Sequence, residues 1–97
     1  MLRPILEHFL NLLKSGREFG VKLSYEVQDK PSGIAHALSL TEDFVDKENI
    51  TVILGDNITT GSIKPYVYNF KNQEKGARVL IKEVADPTGF GVAAIDE

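Results

Sequence analysis

The chain has 97 residues and no cysteine, which removes a disulfide framework, a thiolate zinc site and a Cys nucleophile at once. That fits a reducing compartment. Positive charge is also scarce: 11 Lys and Arg stand against 14 Asp and Glu, a net charge of −3 with both histidines neutral. Neither half holds a basic cluster, so nucleic-acid binding loses its usual electrostatic drive. No apolar run approaches the roughly 20 residues of a membrane span. Residues 1–14 carry an amphipathic pattern broken by Glu7, His8 and Asn11, which is not a secretory signal either. These absences point to a cytoplasmic protein with no nucleic-acid and no membrane partner. Hydrophobic residues at 42% and charged residues at 26% are those of an ordinary globular chain, and the length fits one domain over residues 1–97.

Periodicity then divides the chain. Leu2, Ile5, Leu6, Phe9, Leu10 and Leu13 recur at helical spacing and predict a first helix over about residues 2–14, with Pro4 in its first turn and Ser15-Gly16 as its stop. Val21, Leu23, Tyr25 and Val27 alternate with Lys22, Ser24 and Glu26, the period of a half-buried strand. A loop over Gln28–Gly33, turned by Pro31, leads into a second helix whose face is Ile34, Ala37, Leu38, Thr41, Phe44 and Val45. Ile50–Leu54 is an almost wholly apolar strand of the kind covered on both faces. Ser62 caps a third helix with Ile63, Tyr66, Val67 and Phe70 on its buried face, Pro65 in its first turn and Gly76 just past its end. Ala77–Val84 and Gly91–Ile95 read as further strands, separated by an Asp86-Pro87-Thr88-Gly89 turn. The order α-β-α-β-α-β-β describes a layered α/β sheet flanked by helices.

Chemistry concentrates where strands end. Asp56, directly after the apolar strand, places a carboxylate at the carboxyl edge of the sheet, where open α/β sheets bind ligands. A hard oxygen there suits Mg²⁺ held beside substrate phosphates, although Gly55-Asp56-Asn57 is equally plain turn chemistry. Gln28 carries one acceptor and one donor group, enough to pair with a pyrimidine edge. Gly33 would admit a flat ring against the backbone at the start of a helix. A solvent-facing Gln and a helix-start Gly are the alternative. His36 has no His or Cys partner at metal-ligand spacing, so a partly buried, hydrogen-bonded role is expected of it. His8 reads as a surface residue. Tyr66, Tyr68 and Phe70 read as packing groups, Lys71, Lys75 and Lys82 as a solvated rim, and no phosphate-binding glycine loop is present.

Several stretches in register resemble one family, the sugar-1-phosphate nucleotidyltransferases, most closely the glucose-1-phosphate thymidylyltransferases. They are Phe9–Leu13, Ser15–Val21, Tyr25–Gln28, Gly33–Leu38, Glu42–Val45, Val52–Ile58, Lys75–Ala77, Lys82–Pro87 and Phe90–Val92, and they cover nearly the whole chain. The resemblance implies a Rossmann-like nucleotidyltransferase sheet. It implies that Gln28 pairs with a thymine or uracil ring, that Gly33 touches the same nucleoside through its backbone, that Asp56 ligates a catalytic Mg²⁺ and that Gly91 lines the hexose pocket. The implied substrates are dTTP and glucose-1-phosphate, joined with release of pyrophosphate. Two positions depart from the family: His36 stands where relatives usually have Gln, and Thr59-Thr60-Gly61 replaces a more acidic stretch.

The family's G-G-x-G-T-R-L triphosphate loop and its second metal-binding Asp have no counterpart among these 97 residues. The expectation is therefore of a partial domain, incomplete in its sheet and inactive by itself, that corresponds to the central part of the enzyme. A different class is the rival: a non-catalytic interaction module built on the same fold. In either case a sheet lacking a neighbouring strand exposes apolar surface, and a homo-oligomer is expected.

Overall fold

The computed structural model describes residues 3–96. Leu2, the first member of the predicted helical stripe, lies outside them. The chain separates into two compact units, Met1–Ile50 and Thr51–Glu97.

In the first unit, α1 spans Arg3–Leu13. Leu6 and Leu13 are half-buried, while Ile5, Phe9 and Leu10 of the same stripe are exposed. The helix stops where Lys14 and Gly16 take left-handed backbone at φ 50° and 81°, and the Gly16 N–H closes onto Leu13 O at 2.9 Å. A 3₁₀ turn over Arg17–Phe19 follows and ends at Gly20, φ 72°. The chain then folds back on the helix end: Val21 N–H donates to Gly16 O (3.1 Å), Leu23 N–H to Ser15 O (2.8 Å), and the Tyr25 hydroxyl to Lys14 O (2.7 Å). Gly16 is the one residue classed as buried among those described. Its φ excludes most side chains, and a methyl group built on it would stand 2.7 Å from Leu23 Cγ and 2.8 Å from Val21 O.

The expected second helix is two short ones, α2 over Ile34–Ser39 and α3 over Glu42–Val45. Hydroxyl side chains account for the break. Ser39 Oγ donates to His36 O at 2.6 Å and Thr41 Oγ1 to Leu38 O at 2.7 Å, taking carbonyls that a continuing helix would use. The Leu40 N–H is shared between His36 O and Ala37 O at 3.3 Å each, and the Thr41 N–H tightens onto Leu38 O. Ala37, Thr41 and Val45 still form one half-buried line through both helices, so the predicted face survives the interruption. Asp46 ends α3 in left-handed backbone, φ 47°.

In the second unit, α4 spans Lys64–Lys71 with Pro65 in its first turn. Lys64 N–H donates to Ser62 Oγ at 3.1 Å, the predicted capping group, although Ile63 stands at the formal cap position. Ile63, Val67 and Phe70 are half-buried and Tyr66 is exposed. Gly76, φ 93°, serves the loop after the helix rather than its end. Gln73 organises that loop: its Nε2 donates to Lys75 O and its Oε1 accepts from Arg78 Nε, both at 3.1 Å. The Asp86–Gly89 turn forms as expected, closed by Phe90 N–H to Pro87 O (3.0 Å) and by Thr88 N–H to Asp86 Oδ1 (3.0 Å), with Gly89 at φ 88°.

The expected sheet is the principal difference. Residues 21–27, 50–54, 77–84 and 91–95 form no strand ladder among the described residues. The reason is physical. A helix closes its hydrogen bonds within itself, whereas a strand's N–H and C=O groups are satisfied only by a neighbouring strand. Helical segments therefore stand on local information, and strand segments without pairing do not. The side-chain pattern persists all the same: Leu23, Tyr25 and Val27 are half-buried while Lys22, Ser24 and Glu26 are exposed. No hydrophobic side chain is buried among the described residues, and Ile53 and Val79 stand 65% and 78% exposed. Nor is any helix among them long and apolar enough to cross a membrane.

Candidate functional site

The loop from residue 28 to residue 33 returns on itself so that three polar groups meet. Gln28, half-buried at the end of the alternating segment, directs Nε2 to Gly33 O at 3.2 Å and to His36 Nδ1 at 2.8 Å. Gly33 precedes α2 with φ 94° and ψ 169°, backbone that a residue with a Cβ rarely adopts. Nothing lies within 4 Å of where a Cβ would be, so its outer side is open to a ligand. Gly33 O also accepts the Ala37 N–H at 3.2 Å, the first hydrogen bond of α2, so the Gln28 amide is fastened to the helix start. Ser32 Oγ to Lys30 O at 3.2 Å shapes the loop between them.

These contacts assign donor and acceptor roles. A carbonyl oxygen only accepts, so the Gln28 end that meets Gly33 O is the NH₂ group. The His36 Nδ1 facing the same nitrogen at 2.8 Å serves as the acceptor in the tautomer that carries the ring proton on Nε2. His36 is exposed rather than partly buried, yet it is hydrogen-bonded as the sequence suggested. The pairing of Gln28 with His36, eight positions apart, escaped the sequence reading. Its signal was His36 itself, a departure from the pattern that the resemblance implies.

Asp56 sits at the corner of a turn closed by Asn57 N–H to Leu54 O at 3.1 Å, with its carboxylate in solvent. Among the described residues no group of three His, Asp or Glu side chains stands together as a metal cage. One exposed hard oxygen is nevertheless the donor chemistry of a Mg²⁺ that takes one or two carboxylates and fills its shell with water and phosphate oxygens, so Asp56 fits that ion. Gly91 lies in the segment without regular structure after the Asp86 turn, exposed and with nothing within 4 Å of where a Cβ would stand. Gln28 and Gly33 are thus brought together in the first unit, whereas Asp56 and Gly91 stand on separate segments of the second.

Shallow concavities lie elsewhere, one lined by Ser15, Arg17, Gly20, Val21 and Lys22, another by Ile63, Lys64, Val67, Tyr68 and Lys71. Neither contains a predicted site residue. The Thr88 hydroxyl and N–H beside Asp86, the N–H donating to Oδ1 at 3.0 Å, hold its carboxyl below the usual carboxylate range.

Residues 4–97 match the nucleotidyl transferase family. Among curated proteins, the chain is 37% identical over 91 residues to the low-salt glycan biosynthesis nucleotidyltransferase Agl11 of Haloferax volcanii, covering 94% of this chain and 26% of the relative. It is 38% identical over 90 residues to a glucose-1-phosphate thymidylyltransferase of Neisseria meningitidis, covering 92% and 31%. A third match, 36% over 83 residues, is to the glucose-1-phosphate thymidylyltransferase of Streptomyces antibioticus, covering 84% and 23%. The chain spans less than a third of the length of these relatives. No solved structure matches it.

Proposed function

The chain belongs to the nucleotidyl transferase family, and from that premise we propose that it carries the nucleoside- and metal-binding edge of an enzyme that joins dTTP to glucose-1-phosphate. Family membership implies a Rossmann-like α/β fold and a nucleotidyltransferase-like role. The thymidylyl and glucosyl specificity is taken from the names of the relatives. In the proposed reaction a phosphate oxygen of the sugar-1-phosphate attacks the α-phosphorus of dTTP. The bond to the β-phosphate oxygen breaks, and pyrophosphate leaves. Gln28 and Gly33 hold the base, Gly91 lines the hexose site and Asp56 holds Mg²⁺. When bound, that ion would offset the charge on the phosphates, the main requirement of phosphoryl-type transfer.

The observation that supports this reading is the 3.2 Å hydrogen bond from Gln28 Nε2 to Gly33 O. It joins, within one loop, the two residues to which the resemblance gives the nucleoside. Residues 1–97 are proposed as part of a single catalytic domain, placed in the cytoplasm and inactive by themselves, because the loop that grips the triphosphate is absent from these residues and electrostatic stabilisation is commonly the largest catalytic term. Titration with dTTP and Mg²⁺ tests the binding edge: saturable shifts at the amides of Gln28, Gly33 and Asp56 support it, and no shift at millimolar ligand refutes it. Pyrophosphate release from dTTP and glucose-1-phosphate, above that of an Asp56→Ala control, would refute the inactivity.

A second reading is favoured by the exposed apolar run Ile50, Val52, Ile53 and Leu54. Contiguous apolar surface of this kind marks association, so a self-associating, non-catalytic module is the alternative, and a homo-oligomer is proposed under both readings.

A further inference from the structure

We infer that His36 is a positioning residue that sets the nucleobase preference of the loop by locking the Gln28 amide with its oxygen outward; the inference rests on the nucleoside reading given above. The amide nitrogen has two hydrogens. One meets Gly33 O at 3.2 Å and the other His36 Nδ1 at 2.8 Å, so both are engaged within the loop. What Gln28 retains for a ligand is Oε1, a pure acceptor. Gln28 by itself is ambiguous, since rotating the amide by half a turn exchanges its donor and acceptor ends. Here the exchange would set Oε1 against the Gly33 carbonyl, which only accepts, and would break the Nδ1 contact unless the imidazole proton moved from Nε2 to Nδ1 at the same time.

A fixed outward acceptor reads the Watson–Crick edge in one sense. Thymine and uracil present an N3–H donor, which Oε1 accepts. Cytosine in the same pose presents the N3 lone pair, which Oε1 repels. His36 touches no substrate in this scheme and acts only through Gln28. A residue without an acceptor at position 36 would free one amide hydrogen and leave the Gly33 carbonyl as the single contact holding the amide, so the group would rotate more readily and the loop would discriminate less between the bases.

The test uses the 97-residue chain, its His36→Phe variant, which has no acceptor, and His36→Asn, whose Oδ1 restores an acceptor close to the position of Nδ1. Without nucleotide, long-range ¹H–¹⁵N spectra at pH 8 report the His36 tautomer, and the Gln28 side-chain NH₂ pair reports the lock. Expected are an unprotonated Nδ1, an NH₂ pair displaced in His36→Phe and a nearly wild-type pair in His36→Asn, with α2 backbone amides as the folding control. A proton on Nδ1, or an NH₂ pair indifferent to His36→Phe, overturns the lock. With Mg²⁺ and either dTTP or dCTP, wild type and His36→Asn are expected to prefer dTTP by about tenfold or more, the effect of leaving one polar group opposed rather than paired. His36→Phe is expected to lose most of that preference. Equal binding of the two nucleotides by wild type, with the lock intact, overturns the selectivity role. Absence of any nucleotide binding with the lock intact overturns the nucleoside reading and with it the selectivity, whereas the Gln28–His36 pair itself stands or falls on the unliganded spectra.

Discussion

Replacing Gly16 by Ala tests the best-connected part of the first unit. Two costs combine there. The left-handed backbone at φ 81° penalises any L side chain by about 1–2 kcal/mol. The new methyl group would also meet Leu23 Cγ at 2.7 Å, Val21 O at 2.8 Å and Val21 Cγ2 at 2.9 Å, and overpacking of this kind adds roughly 1–3 kcal/mol. Gly20 isolates the first cost, because it has φ 72° with nothing within 4 Å of its Cβ position. Gly20→Ala is therefore expected to open the α1 terminus by about the backbone term alone, and Gly16→Ala by about 2–5 kcal/mol in total. The reporters are the Val21 and Leu23 amides, which donate to Gly16 O and Ser15 O. Their hydrogen-exchange protection should fall in both variants, by a further factor of about five to a hundred in Gly16→Ala. Equal protection in the two alanine variants would refute the close approach of residues 21–23 to the helix end.

Four further outcomes are expected. Thr88→Val removes the hydroxyl that is the larger cause of the lowered Asp86 pKa, so the Asp86 carboxyl should titrate closer to its ordinary value in a ¹³C-detected pH series; because the folded group is held low, the turn gains stability above the ordinary Asp range and loses it as pH falls through the lowered value. Ser39→Ala with Thr41→Ala removes the hydroxyls that take His36 O and Leu38 O, and should join α2 and α3 into one helix, seen as Cα shifts of Leu40 and residue 41 moving to helical values. Tyr25→Phe removes the 2.7 Å bond to Lys14 O and should cost about 0.5–1.5 kcal/mol in local opening, read from amide exchange at Leu23. Ile53→Glu should weaken self-association in light scattering, since burying Ile53 contributes about 1.5–3 kcal/mol; a wild-type chain at the monomer mass of 10.7 kDa at every concentration would refute association.

Helices were legible because their evidence is local. The 3.6-residue stripe, the Ser15-Gly16 stop and the Ser62 and Pro65 signals all refer to atoms within a few positions, and α1 and α4 follow them. The α2–α3 break was hidden because Thr41 lies on the apolar face and counts toward the helical period. The same hydroxyl takes the Leu38 carbonyl at 2.7 Å, a competition that periodicity does not register. At the strands the alternation of Leu23, Tyr25 and Val27 was correctly read as a difference in burial. Alternation says which side chains turn inward, however, and nothing about which backbone will receive the hydrogen bonds. The candidate site divides in the same way. Gln28 and Gly33 could be chosen as chemical types from the sequence, but the third member, His36, depended on the path of the intervening loop.

That division bears on how such a chain could have function at all. The loop geometry proposed to read the base spans residues 28–36 and is held by hydrogen bonds inside that span, so it does not depend on strand pairing. The Asp56 turn is equally local, closed between Leu54 and Asn57. Catalysis asks for more: a metal and a base-bound triphosphate must meet within an ångström or so of productive geometry, and in an α/β enzyme the rigid sheet supplies that precision. On the proposed reading, recognition of a nucleobase can therefore persist where the described strand segments form no ladder, while transfer of a nucleotidyl group would depend on the pairing. For this reason binding and turnover are expected to separate experimentally, with the Gln28–Gly33–His36 loop responding to thymine nucleotides under conditions in which no pyrophosphate is released.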